Sequence, residues 1–77
     1  MEVPLVNMGS HRIGYVKRVE GGYGLQKRVC SLGIRVGKPI RIVTAGLFGG
    51  PIVVEIDGCR VALGRGVASK IIVEVDG

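Results

Sequence analysis

The stretch IVVEIDGCRVAL, residues 52–63, constrains the fold of this chain more than any other. Asp57-Gly58 separates two apolar, alternating runs, and an Asp-Gly pair in that setting favours a two-residue type I′ turn. Such a turn sets Ile56 against Cys59, Val54 against Val61 and Ile52 against Leu63, so one face is apolar throughout. The other face sets Glu55 opposite Arg60, a favourable cross-strand pair. A slip of one residue would spoil both faces at once. Turn chemistry, alternation and charge therefore agree on one register, with Cys59 on the core face as a small apolar side chain.

Three further segments read as strands. In RIGYVKRVE (12–20) the apolar residues Ile13, Tyr15, Val16 and Val19 do not keep one parity, and a bulge near Lys17 and Arg18 reconciles them. PIRIVTA (39–45) and KIIVEV (70–75) are rich in Ile and Val. Between the first two lies GLQKRVCSLG (24–33), which reads as a short helix. Leu25, Val29 and Leu32 make one apolar stripe, and Gly33 suits the left-handed position after the last turn. The alternative there is an irregular loop with a single helical turn. Gly37-Lys38-Pro39 marks a turn, and RGVAS (65–69) has room for one helical turn that carries the chain to its last strand. Five short strands with one small helix suit a small, mainly β, closed barrel, because an open sheet of this length leaves two exposed edges.

At 77 residues the chain is expected to be a single domain, residues 1–77. Hydrophobic residues make up 47% and aromatics only 4%, so the core must be aliphatic. The net charge of +5 admits an anionic partner. Yet the basic residues are spread from Arg12 to Lys70, and few aromatics are present to stack on bases, which argues against a dedicated nucleic-acid binder. The opening MEVPLVNMGS does not read as a secretory signal, so none is expected, and no apolar run is long enough to span a bilayer. Two cysteines, Cys30 and Cys59, make no disulfide framework. A reduced, cytoplasmic protein is expected.

Catalytic chemistry finds no support in the pattern. The one histidine, His11, is paired with no nucleophile motif. Gly21-Gly22-Tyr23-Gly24 precedes a helix but has neither the Lys-Ser/Thr of a phosphate loop nor dinucleotide spacing, so a tight turn accounts for it. The expectation is a non-enzyme without a cofactor. No specific metal site is expected; His11 and Cys30 are weak candidates for adventitious divalent metal.

GLFGGP (46–51) is unusual. Gly and Pro mark a loop, yet its tip carries Leu47 and Phe48, the only Phe of the chain. Two readings stand. The pair folds back to cap the barrel, or it stands out as a docking element.

In this setting GGYGLQKRVCSLGI (21–34) resembles the helix-and-turn signature of the FeoA family, small proteins of ferrous iron transport. Leu25, Arg28, Val29 and Leu32-Gly33-Ile34 carry that likeness. Gly37 with Ile40 and Ile42 is similar to the next family element. GGPIVVEIDGCRVALGRGVASKIIVEV (49–75) is similar to the family's Gly-Pro strand, hairpin and final strand, and PLVNMG (4–9) to its opening. Where many members carry Arg-Arg, this chain has Arg65 between Gly64 and Gly66. The resemblance implies an SH3-like barrel and a cytosolic accessory role, through the transporter FeoB, at the inner face of the cell membrane. It also implies kinship with the C-terminal barrel of iron-dependent repressors, hence the alternative of a metal-responsive regulatory domain. The DNA-binding domain that precedes that barrel finds no counterpart here, so a complete repressor is not expected. The candidate partner-binding residues are Leu25, Arg28, Leu47, Phe48 and Arg65. A weak homo-oligomer through an unpaired strand edge is also expected.

Overall fold

The computed structural model describes residues 1–45 and 49–76. Along it run β1 (Glu2–Pro4), a 3-10 turn (Leu5–Asn7), β2 (Ile13–Val19), α1 (Tyr23–Ser31), β3 (Pro39–Thr44), β4 (Ile52–Ile56), β5 (Cys59–Leu63), α2 (Arg65–Ala68) and β6 (Ile71–Glu74). The strands form one antiparallel sheet in the order β1-β6-β2-β3-β4-β5.

The β4–β5 hairpin has the register that its turn chemistry predicts, from Ile56↔Cys59 to Ile52↔Leu63. Asp57 and Gly58 both take positive φ, at 52° and 77°, as a type I′ turn requires. The bulge in β2 is present as well: pairing to β6 shifts between Val16 and Arg18. Gly14 and Val16 before it are buried. A second irregularity shifts β3 against β4 between Ile42 and Thr44.

Helix α1 ends as the sequence predicts. Gly33 has φ 88°. Its N–H donates to the carbonyl of Cys30 at 3.0 Å, and the N–H of Ile34 donates to that of Val29 at 3.3 Å. This pair of bonds is a Schellman closure, and it brings Ile34 and Val29 together in the core. One expectation is corrected here. Leu32 does not belong to the buried stripe and is 37% exposed. As the C-cap residue it sits where the helix ends, and Ile34, beyond the left-handed glycine, takes the inward place. At the other end, the Gln26 side-chain amide donates to the carbonyls of Val19 and Gly21, which ties the helix to the end of β2.

The inner faces of β2 to β6 enclose one aliphatic core, to which the segment after β1 adds Leu5 and Met8, α1 adds Val29 and α2 adds Ala68. Each fully buried Val, Leu or Ile contributes about 1.5–3 kcal/mol relative to exposure. No aromatic side chain is buried among the described residues.

Three expectations change. A sixth strand, β1, joins the five; its three residues pair with β6, Val3 opposite Val73. Cys59 is exposed rather than packed in the core. It lies at the turn end of β5, a strand whose one ladder among the described residues is to β4. Among the described residues no ladder joins β1 to β5, and the sheet keeps two edges.

Candidate partner-binding surface

Alternation along β2 turns Gly14 and Val16 inward and leaves Ile13 and Tyr15 on the outer face. These two are 55% and 53% exposed. The register carries the row across the sheet: Tyr15 stands opposite Pro39, Ile13 opposite Arg41, and Arg41 opposite Glu55. Pro39 is exposed too. The result is an apolar strip of three side chains bordered by charge.

That border consists of ion pairs. Arg41 Nη2 lies 2.8 Å from Glu55 Oε1. Arg60, the partner expected for Glu55, is directly opposite it in the ladder but its Nε stays 4.0 Å away. The neighbouring strand β3 supplies the nearer guanidinium, so Glu55 is shared unequally between two arginines. Lys38 Nζ approaches Asp57 Oδ2 at 3.2 Å next to the hairpin turn. A shallow concavity of about 190 Å³ lies between Ile13 and Pro39 on one side and Asp57-Gly58 on the other, with Ile40, Arg41 and Glu55 completing its lining. Small apolar anchors beside ion pairs are the chemistry of a protein contact.

A second charged group surrounds the β2 bulge. Arg18 reaches Glu2 of β1 at 2.5 Å and Glu20 at 3.1 Å. The hydrogen bond from Arg18 holds the Glu2 carboxyl below its ordinary value of 4.5, and the same bond raises the Arg18 guanidinium. Both groups are exposed, so the effect on stability is small.

The residues expected from the sequence are distributed otherwise. Leu25 is half-buried against the core. Gly21 makes room for it, since a Cβ there would come within 2.5 Å of Leu25 Cδ2. Arg28 is exposed in the last turn of α1, and Arg65 is exposed at the start of α2. Leu47 and Phe48 lie outside the described residues. His11 is exposed, in a left-handed conformation with φ 65°, and its backbone N–H donates to the carbonyl of Ile42 at 2.8 Å. Cys30 is exposed on α1. Among the described residues no three His, Cys, Asp or Glu side chains stand close enough to share a metal ion. No helix among them is long and apolar enough to cross a membrane.

Ile13, Tyr15 and Pro39 were not among the sequence candidates. A signal for the first two existed: they share a parity opposite to that of Val16, so once Val16 is placed inside they must face outward.

The FeoA domain model matches residues 3–75, nearly the whole chain. The chain belongs to the FeoA family. A protein of Methanocaldococcus jannaschii, provisionally named Fe(2+) transport protein A, is 36% identical over 59 residues, which are 77% of this chain and 70% of that protein. A crystal structure of an iron uptake regulatory protein, FeoA, superposes with a TM-score of 0.87 at 32% identity and covers 96% of both chains. The fold is thus the SH3-like barrel of FeoA proteins. A manganese-dependent transcriptional repressor matches with a TM-score of 0.88 at 26% identity; 97% of this chain corresponds to 42% of the repressor.

Proposed function

We propose that this FeoA-family chain is an accessory protein of ferrous iron uptake that acts by binding the cytosolic part of the transporter FeoB. The observation that carries the reading is the family match over residues 3–75, supported by the likeness to an Fe(2+) transport protein A along three quarters of the chain. The surface chemistry is consistent with it. Ile13, Tyr15 and Pro39 offer exposed apolar anchors on adjacent strands, and Arg41, Glu55, Lys38 and Asp57 border them with both signs of charge. In this reading the protein performs no bond chemistry and holds no resident cofactor; it works by contact, at the inner face of the membrane.

Capture of detergent-solubilised FeoB from the same organism tests the reading. Wild type is compared with an Ile13→Ser/Tyr15→Ser variant, which alters the outer strip, and with a Leu47→Ser/Phe48→Ser variant, which alters the loop. Binding by wild type and loss in one variant assigns the contact to that surface. No binding by folded wild type overturns the direct contact. The second reading, a metal-responsive regulatory domain, draws on the repressor likeness; stoichiometric Fe(II) or Mn(II) binding by the isolated protein would favour it.

A further inference from the structure

The two sheet edges are not equivalent. The β1 edge is three residues long and ends in a proline, two features that discourage pairing. The β5 edge is five residues long, CRVAL, without proline or bulge, and its charged side chain is Arg60.

The hairpin register determines which backbone groups that edge presents. Ile56 and Cys59 flank a two-residue turn and exchange both backbone hydrogen bonds; the antiparallel pattern then alternates. Cys59, Val61 and Leu63 direct their backbone groups to β4. Arg60 and Ala62 direct theirs away from it, which leaves two N–H and two C=O groups on the open side. None of these four is bonded to backbone outside the sheet among the described residues.

We infer that β5 pairs with β5 of a second copy of this chain, antiparallel about a two-fold axis through Val61. In this register Arg60 of each copy exchanges both backbone bonds with Ala62 of the other. All four outward groups are then used, in four hydrogen bonds. Val61 meets the second copy's Val61 across the axis as a close, non-hydrogen-bonded pair. Cys59 comes opposite the second copy's Leu63, so the exposed Cys59 and the half-buried Val61 gain apolar neighbours. Arg60 faces alanine rather than another arginine. Centring on Arg60 instead would set two guanidinium groups opposite each other, which is destabilising. Centring on Ala62 would pair Arg60 with Gly64, whose carbonyl already accepts from Ala68 at 3.0 Å. The net charge of +5 on each copy opposes association, so moderate salt strengthens the dimer.

Sedimentation velocity across the micromolar-to-millimolar range tests this, on wild type, Ala62→Pro and Ala62→Glu. Ala62→Pro removes an N–H that the monomer does not use, and weakens the dimer about tenfold or more. Ala62→Glu sets a carboxylate opposite Arg60 of the other copy, twice per dimer, and tightens it about threefold or more. Far-UV circular dichroism checks that each variant folds; if Ala62→Pro does not, Ala62→Glu decides. A wild type that stays monomeric throughout overturns the inference and leaves the edge to some other strand. A dimer that Ala62→Pro leaves intact, or that Ala62→Glu weakens, overturns this interface and register.

Discussion

Gly14 of β2 leaves the space that Val73 of β6 fills. A Cβ on Gly14 would come within 3.1 Å of Val73 Cβ and within 2.6 Å of Met8 Sδ. Both neighbours are buried core residues, so neither yields freely. Gly14→Ala is therefore expected to destabilise by about 1–3 kcal/mol, as overpacking does in a filled core. Gly14→Val should cost more. Urea unfolding midpoints of the two variants check this ordering.

At three other glycines backbone conformation, not space, decides the outcome. At Gly33 and Gly58 a Cβ meets nothing within 4 Å, but φ is +88° and +77°. Alanine at either position is expected to cost about 1–2 kcal/mol, the penalty of a left-handed conformation for an L-residue. Gly24 lies inside α1, with no positive φ and nothing within 4 Å of its Cβ direction. Gly24→Ala should stabilise by about 0.5–1 kcal/mol, because alanine loses less conformational freedom in a helix. Thermal unfolding of the three variants under one condition should show one midpoint rising and two falling.

This division explains what could be read in the sequence. Gly33 and the Asp57-Gly58 turn were legible because their conformations follow from neighbours in sequence: a helix stripe before one, alternating runs around the other. The β2 bulge was legible from broken parity. Strand β1 was not, because Glu2 to Pro4 show no pattern of their own and are ordered by residues 72–74 at the other end of the chain. The exposure of Cys59 was not legible either. The hairpin register puts it on the face of buried Val54 and Ile56, and only the strand order shows that β5 is an edge strand among the described residues. The outer strip was half legible: parity places Ile13 and Tyr15 together, but Pro39 joins them only through the β2–β3 register. Of the candidates Leu25, Arg28, Leu47, Phe48 and Arg65, Leu47 and Phe48 lie outside the described residues.

The Glu2–Arg18 pair makes a pH-dependent contribution whose sign follows from the shift. Bonding to Arg18 depresses the Glu2 carboxyl in the folded state below its ordinary 4.5. The stabilisation is complete above that value and is lost as pH falls through the lower, folded-state value. Glu2→Gln should thus lower the melting midpoint slightly near neutrality and leave it unchanged in strong acid, where the wild-type carboxyl is also neutral. The gap should shrink with added salt, since both side chains are exposed. A gap that persists unchanged at low pH would show that Glu2 acts by something other than its charge. Melting curves of the two proteins from neutral to strongly acid pH settle this.

The outer strip yields the prediction that bears most directly on function. Ile13 and Tyr15 do not belong to the buried core, so serine at both positions should change unfolding free energy by no more than about 1 kcal/mol. Apolar anchors at the centre of a protein contact commonly cost 2 kcal/mol or more each when truncated, about thirtyfold in affinity. A retained midpoint with a thirtyfold or greater loss of FeoB binding is therefore the expected result for Ile13→Ser/Tyr15→Ser. Arg41→Ala alters the border of the strip rather than its anchors, and its effect should be smaller and salt-dependent. Equal losses for both variants would mean that charge, not apolar contact, dominates the interface. Unchanged binding in the double variant would move the contact away from this face, to the α1 side with Leu25 and Arg28 or to the 46–51 loop. Titration of each folded variant against immobilised transporter, at two salt concentrations, separates these outcomes.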